Sequence, residues 1–183
     1  MIISWNVRGL NKKDKIRDIS SRLLELNPNI AILLETIVKK DSVAHIRKLL
    51  NFKGVFADNY ENHGNGRIWL AWKHNCIDIK LVCSTSQLVH CGVYDLVGNF
   101  MFWLTVIYAM NTLEQSRLLW KDLARIHSQQ RGAWCLISDL NNVIKTQDGI
   151  GGRIVTEAEY NDLVTMMQNV GLYEMDSLDD YYT

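Results

Sequence analysis

Three short segments of this chain, each dominated by apolar residues, end in acid or amide side chains. Runs of four or five apolar residues are typical of strands that are buried on both faces. The segments are 2–5, 30–34 and 133–137, and the polar side chains that follow them are Asn6, Glu35, Asp139 and Asn141. Because sites in α/β proteins are built at the ends of such strands, we expect these side chains to lie at the rim of a sheet.

The spacing of apolar residues elsewhere predicts helices and further strands. Helices are expected at 12–26 and about 41–50, each after one of the first two strands. Capping-box spacing predicts two more helices, from Thr112 and from Thr156, and a short strand is expected at 172–175. The middle of the chain alternates in the manner of antiparallel strands, in the segments 53–58, 67–73, 77–84, 87–95 and 100–108. This order predicts a mixed α/β protein with helices packed outside its sheets.

The chain has 183 residues, no formal net charge, 48% hydrophobic residues and 22% charged residues. This composition is typical of a globular protein, and we expect residues 1–183 to form a single domain. A neutral chain gives no bulk electrostatic signal for a nucleic-acid partner. No apolar run approaches the roughly 18 residues needed to cross a bilayer, so no membrane partner is expected. The four cysteines lack zinc-site spacing, which favours free thiols in a reducing compartment.

The side chains at the strand ends suit a hydrolytic site. Glu35 and Asp139 would repel each other by about 4 kcal/mol at about 4 Å and an effective dielectric of about 20, so a proton or a cation is expected nearby. Mg²⁺ prefers oxygen ligands and keeps several waters, which suits Glu35 helped by Asn6. Asp139 would polarise a water, and Asn141 would position that water or the substrate.

These side chains also have plainer interpretations. A glutamate that ends a strand is more often a surface residue or a helix-cap partner, and Asp139 with Asn141 fits a strand-to-helix cap. A group of cations follows the first strand: Arg8, Lys12, Lys13, Lys15 and Arg17. They could hold phosphate at a helix N-terminus, but a solvated helix face is the commoner meaning of such a group.

Four segments, in this order and spacing, resemble the endonuclease/exonuclease/phosphatase superfamily: Ser4–Leu10, Leu33–Thr36, Tyr108–Asn111 and Ser138–Asn141. Three more segments resemble one branch of it, the apurinic-type endonuclease domain of plant non-LTR (LINE-type) retrotransposons: Gly66–Trp72, Arg117–Trp120 and Gly151–Arg153. The likeness runs from residue 2 to the end of the chain. It implies an α+β fold, a four-layer sandwich of two mixed β-sheets flanked by helices. It also implies hydrolysis of phosphodiesters or phosphomonoesters with Mg²⁺ or Mn²⁺.

The resemblance assigns roles to the strand-end residues and adds further ones. Asn6 and Glu35 would serve the metal, Asp139 would activate the attacking water, and Asn141 would orient the phosphate or the water. Two residues enter by the resemblance alone, because Tyr108 and Asn111 would contact the scissile phosphate.

The chain also departs from the family pattern. Many members carry an acidic residue where Arg8 stands; here a cation would bind substrate while weakening the metal site. A glycine is usual where Ser138 stands, and serine is small enough to replace it. The family's later Ser-Asp-His motif has no counterpart before Thr183, so we expect a domain that lacks its C-terminal part and is weak or inactive by itself.

The leading hypothesis is therefore a Mg²⁺-dependent DNA endonuclease of retrotransposon origin. We expect DNA as partner, a monomer, nuclear action if the element is functional, and a reverse transcriptase domain in the full-length element. Two alternatives stay open: a phosphomonoesterase of the same superfamily, and a non-enzymatic remnant.

Overall fold

The computed structural model describes residues 1–110, 112–139 and 157–175, which fall in two compact units. The first unit comprises residues 1–110 and 132–141, and the second comprises 111–131 and 142–183. Predicted site residues Asn111 and Asn141, and the predicted helix start at Thr156, lie outside the described residues.

The first unit contains two four-stranded sheets and two helices. The first sheet has the order β1 (Ile2–Asn6), β2 (Ile30–Leu34), β4 (Ile68–Trp72), β3 (Val55–Asp58). The second has the order β5 (Asp78–Ser84), β6 (Leu88–Tyr94), β7 (Phe100–Tyr108), β8 (Trp134–Asp139). The pairs β1–β2 and β7–β8 are parallel and the other pairs antiparallel, so both sheets are mixed. The predicted α+β fold with two mixed sheets is confirmed.

The two sheets pack face to face, and helices cover the outer face of the first one. Alternate residues of β2 and β4, such as Ile32 and Leu70, join Cys91 and Leu104 of the second sheet in one buried cluster. Their neighbours on the other face form a second cluster with α1 (Lys13–Leu26) and α2 (Val43–Leu50). Because both faces of β2 and β4 are covered, every residue of these strands is buried. This explains the continuous apolar runs in the sequence.

Helix α1 ends as the sequence predicts. Asn27 adopts a left-handed conformation with a φ of 47°, and its N–H donates to the Leu23 carbonyl just before Pro28. A short 3₁₀ turn (Lys40–Ser42) precedes α2, in the region expected to start the second helix.

The second unit contains α3 (Leu113–Gln129) and α4 (Glu157–Val170). Thr112 begins α3 as predicted, since its hydroxyl accepts a hydrogen bond from the Gln115 N–H at 3.4 Å. An ion pair joins the two helices, with 2.9 Å between Arg117 Nε and Asp162 Oδ2. The predicted strand at 172–175 is wrong, because this segment has no strand structure and Tyr173 is 85% exposed. A strand forms only where a partner supplies its backbone hydrogen bonds.

All four cysteines are free thiols, as expected from their spacing. Burial raises the pKa of Cys91 to about 12 and also raises the pKa of Cys135. Both side chains are therefore unreactive thiols at neutral pH. Among the described residues, no helix is both long enough and apolar enough to span a bilayer.

Candidate active site

Two side-chain hydrogen bonds connect the two sheets at one rim. At the end of β1, Asn6 Nδ2 donates to Oδ2 of Asp139, the last residue of β8. Just before β4, Arg67 Nη1 donates to the hydroxyl of Tyr108, the last residue of β7, at 3.1 Å. The ends of β1 and β2 and the start of β4 share this rim, because β2 is parallel to β1 and antiparallel to β4.

The strand register places the remaining predicted carboxylate at the same rim. Asn6 pairs with Leu34 across β1 and β2, and Glu35 follows Leu34 directly. Tyr108 pairs with Asp139 across β7 and β8. The structure therefore brings Asn6, Tyr108 and Asp139 together, and Glu35 directly follows Leu34, the residue that pairs with Asn6.

The Asn6 amide is held in a defined orientation. Its Oδ1 accepts a hydrogen bond from the Arg8 N–H at 3.0 Å, while its Nδ2 donates to Asp139. An amide oxygen has two lone pairs, so Oδ1 keeps one acceptor site after the bond to Arg8. Asn6 can therefore orient the Asp139 carboxylate and still offer an oxygen to a ligand.

Glu35 lies in a strained loop that is tied down by backbone hydrogen bonds. Its φ is 55°, and Arg8 and Ile37 also have positive φ values, of 43° and 49°. Such conformations cost about 1–3 kcal/mol each in non-glycine residues and are concentrated at functional sites. The loop is held because Gly9 N–H donates to the Glu35 carbonyl at 2.7 Å and Leu10 N–H to the Thr36 carbonyl at 2.8 Å.

The Glu35 side chain is half-buried, and among the described residues it has neither an ion pair nor a hydrogen-bond partner. A carboxylate in this position can accept a ligand without first breaking an internal contact. The predicted role of Glu35 as a metal ligand is compatible with this arrangement and stays a prediction.

The oxygen donors at the rim fit a hard divalent cation. The described residues contain no group of three or more His, Cys, Asp or Glu side chains that could hold a metal. Mg²⁺ does not need such a group, because it is usually bound by one or two carboxylates and keeps several waters. Glu35 with the Asn6 amide oxygen meets that requirement.

The cationic side chains that follow β1 make different contacts. Lys15 Nζ donates to the carbonyls of Val7 and Arg8, at 2.8 and 3.1 Å, and so holds the loop that follows Asn6. Arg17 pairs with Asp14 at 3.2 Å on the solvent face of α1. Lys15 therefore supports the site through the backbone. Arg8 is exposed, and its assignment to substrate binding stays a prediction.

The sequence analysis did not identify the residues that support Arg67 and Tyr108. One of them is Asn59, which is fully buried. Its Oδ1 accepts from the N–H groups of Arg67 and Ile68, at 2.9 and 3.1 Å, and its Nδ2 donates to the Ser86 carbonyl at 3.1 Å. Asn59 thus ties the residues before β4 to the chain before β6. Its only sequence signal is a lone asparagine after a short strand, which is too common to single out.

Gln87 is the second residue that was missed. Its backbone carbonyl accepts from the Tyr108 N–H at 2.9 Å, and its Oε1 accepts from the Met110 N–H at 2.8 Å. Gln87 is buried and extends the hydrogen bonding of β7 past the strand end. The backbone of Tyr108 is therefore fixed independently of its hydroxyl.

The loop before Arg67 is packed on Tyr60, and this leads to a prediction for stability. A Cβ at Gly66 would come within 2.4 Å of the Tyr60 ring. The buried Tyr60 hydroxyl donates to the Val38 carbonyl at 2.6 Å.

Tyr60→Phe should lower the free energy of unfolding by about 1 kcal/mol, since it leaves that buried carbonyl without its partner. Thermal unfolding should show a Tm about 2–4 °C lower. Tyr173→Phe, at an 85% exposed position, is the control and should match wild type.

No family model matches this sequence, and no curated protein matches it by sequence. Solved structures do match its fold. The AP endonuclease LMAP from Leishmania major has a TM-score of 0.70 and 15% identity, over 92% of this chain and 66% of that one. The endonuclease domain of TRAS1, a telomere-specific non-LTR retrotransposon, has a TM-score of 0.67 and 13% identity, over 93% and 71%.

A third solved structure, D. rerio TDP2 complexed with a single-strand DNA product, has a TM-score of 0.60 and 19% identity, over 93% of this chain and 64% of that one. This chain therefore spans about two thirds of the length of the solved chains that it matches. At these identities the likeness establishes the fold, which is the fold implied by the resemblance in the sequence.

Proposed function

We propose that this chain is a divalent-metal-dependent phosphodiester hydrolase that acts on DNA, in which Asp139 activates the attacking water. The observation that carries the proposal is the hydrogen bond from Asn6 to Asp139 across the two sheets, at the rim where the Glu35 carboxylate has no ion pair or hydrogen-bond partner among the described residues. The fold is shared with an AP endonuclease and a retrotransposon endonuclease domain, which supports the same reaction class.

Asp139 is the general base in this proposal. The Asn6 N–H holds one of its carboxylate oxygens, and this bond uses one of the roughly four acceptor sites of a carboxylate. A base acts only when it lies within hydrogen-bond reach of the proton that it removes. The bond to Asn6 limits the rotation of the carboxylate, and in this proposal that fixed orientation would serve proton transfer from the water.

Glu35 and the Asn6 oxygen would hold Mg²⁺ or Mn²⁺. When bound, such a cation stabilises the negative charge that develops on the phosphate. Tyr108 would contact the scissile phosphate through its hydroxyl, and Arg8 would contact the substrate from the exposed side of the loop. Asn111 and Asn141 would contact and orient the phosphate or the water.

We infer a retrotransposon origin, of the plant LINE type, from the sequence resemblance. The fold shared with the TRAS1 endonuclease domain supports a retrotransposon origin in general. In that setting the chain would act in the nucleus as a monomer, and a reverse transcriptase would use the cut strand end. DNA as substrate is supported by the shared fold with TDP2, which was solved with a DNA product.

Glu35→Gln tests the metal site. The wild-type chain, which we expect to be weakly active by itself, should nick supercoiled plasmid slowly in the presence of Mg²⁺ and not in EDTA. The variant keeps the size of the side chain but loses its charge, so the Mg²⁺ concentration for half-maximal nicking should rise by about tenfold or more. The control Glu25→Gln removes an exposed carboxylate of α1 and should leave that concentration unchanged.

The other outcomes separate the alternatives. An unchanged Mg²⁺ requirement in Glu35→Gln would remove Glu35 from the metal site. Release of phosphate from small monoesters without plasmid nicking would support a phosphomonoesterase. A folded wild-type chain that shows neither activity, in Mg²⁺ or in Mn²⁺, would support the non-enzymatic remnant.

A further inference from the structure

Arg67 lies at the same rim as the proposed catalytic residues but has no role in the function proposed above. Its Nη1 is 3.1 Å from the Tyr108 hydroxyl, and its Cζ is 5.2 Å from the centroid of the Tyr108 ring. The side chain is half-buried. It therefore places a cation directly beside the hydroxyl that is expected to contact phosphate.

The charge of Arg67 is not neutralised within the described part of the chain, where no carboxylate forms an ion pair with it. Arg47, also half-buried, shows the contrasting structural use of an arginine, with 2.6 Å between its Nη2 and Asp58 Oδ2. Arg67 also acts on His63. Burial is the main cause that lowers the pKa of His63, and the positive charge of the Arg67 guanidinium is the second. Among the described residues, Arg67 therefore has no carboxylate paired with its charge.

The position of Arg67 is set by its backbone. Its N–H donates to Oδ1 of the buried Asn59 at 2.9 Å, and its carbonyl accepts from the Thr36 N–H at 3.4 Å. These bonds fix the backbone of Arg67, and the bond from Nη1 to the Tyr108 hydroxyl limits the rotation of its side chain. A guanidinium held in this way loses less freedom when it binds a ligand, and such preorganisation favours affinity.

The direction of the hydrogen bonds identifies the kind of ligand. An arginine has five N–H donors and no acceptor, so the phenolic oxygen of Tyr108 must be the acceptor of the bond at 3.1 Å. The hydroxyl proton of Tyr108 must then point to another acceptor. The guanidinium and the hydroxyl together present several donors and a positive charge, which suits a phosphate oxygen.

We propose that Arg67 and the Tyr108 hydroxyl form a phosphate-binding site that holds a backbone phosphate of the nucleic acid independently of the metal. The identity of the ligand as DNA rests on the proposed function, whereas the anion site itself does not. Arg67 is in this view a substrate-binding residue, and Asn59 positions it.

The first test measures DNA binding in EDTA, so that neither metal nor cleavage contributes. Fluorescence anisotropy with a labelled single-stranded oligonucleotide is recorded over a series of salt concentrations. Arg67→Met should weaken binding by about tenfold, because it removes a charged hydrogen-bond donor. The slope of the logarithm of affinity against the logarithm of salt should fall by about 0.7, the change expected for one lost phosphate contact on a single strand.

Two further variants complete this test. Arg67→Lys keeps the charge and should retain most of the salt slope. Arg22→Met removes an exposed cation on α1, at a side chain that is 61% exposed, and should leave the slope unchanged. A wild-type slope in Arg67→Met, or no detectable binding by the wild-type chain, would overturn the proposal.

The second test distinguishes two roles of Arg67: binding an anion, or only supporting the Tyr108 side chain. Inorganic phosphate should raise the Tm of the wild-type chain relative to chloride at equal ionic strength, since a ligand that binds the folded state stabilises it. Arg67→Met should lose this increase and Tyr108→Phe should reduce it. If Arg67 only supports Tyr108, Arg67→Met lowers the Tm in buffer but keeps the full increase with phosphate.

The two proposals can fail separately. Plasmid nicking by the wild-type chain together with a normal salt slope and phosphate response in Arg67→Met would overturn the anion site alone. A phosphate response that depends on Arg67, in a chain that never nicks DNA, would overturn the hydrolase and support the anion site.

Discussion

Asp139→Asn should lower the rate of plasmid nicking by about 10²- to 10⁴-fold, the usual contribution of a positioned general base. The substitution keeps the shape of the side chain, and its amide oxygen can still accept the hydrogen bond from Asn6. What is lost is the ability to take up a proton from water. The effect should therefore appear in activity and not in folding.

The measurement is the initial rate of nicking at saturating Mg²⁺, together with the Tm of each variant. Asp78→Asn, at an exposed position of β5, is the matched control and should nick at the wild-type rate. Equal rates for Asp139→Asn and wild type would exclude Asp139 as the base. A large loss of Tm would instead show that the bond to Asn6 serves folding.

Stability should fall by about 3 kcal/mol between neutral pH and pH 4 because of His90 alone. His90 is 3% exposed on β6, and burial lowers its pKa from the usual 6.5 to about 4. Its Nδ1 lies 2.9 Å from the Thr105 hydroxyl, which accepts from Trp134 Nε1 at 2.7 Å. Because the hydroxyl accepts from Trp134, it can donate its own proton to a neutral imidazole.

The direction in which the free energy of unfolding changes with pH follows from how many protons the folded and unfolded states bind. Between pH 6.5 and about 4 the unfolded chain carries a protonated His90 while the folded chain does not. The unfolded state therefore binds more protons, and the free energy of unfolding decreases as the pH falls through this range. Below about pH 4 both states are protonated, and the contribution of His90 becomes constant.

Urea unfolding of wild type and His90→Gln across this pH range checks the prediction. Other groups contribute in the same direction, since the pKa of His63 and the pKa of Asp95 are also lowered. The difference between the two proteins isolates His90, and the curve of the variant should be flatter. His45→Gln, at an exposed position of α2, should keep the wild-type slope. Parallel curves for wild type and His90→Gln would contradict the assignment.

The apolar pattern determined the strands that are buried on both faces. The continuous apolar runs predicted β2, and the predicted strand at 67–73 contains β4; both are buried throughout. A strand that is buried on both faces needs apolar residues at every position, so its burial is visible in the sequence itself. The predicted strand at 172–175 failed because a short apolar alternation does not specify a partner strand.

The conformation of Glu35 was decided by tertiary structure. The sequence predicts that it ends a strand, but β2 ends at Leu34 and Glu35 has a φ of 55°. A left-handed glutamate is unfavourable in an isolated chain. It persists here because the loop after Asn6 and the residue before β4 hydrogen-bond to the backbone at 34–36.

By itself, the apolar pattern determined the buried strands and placed Asn6, Glu35 and Asp139 at or directly after strand ends, because burial follows from local apolar runs; the two mixed sheets were implied by the family resemblance. Only the tertiary structure decided which side chains meet across the two sheets. Asn6 and Asp139 are 133 positions apart, and Arg67 and Tyr108 are 41 apart. The packing of one sheet on the other, which no local pattern specifies, brings each pair within hydrogen-bond distance.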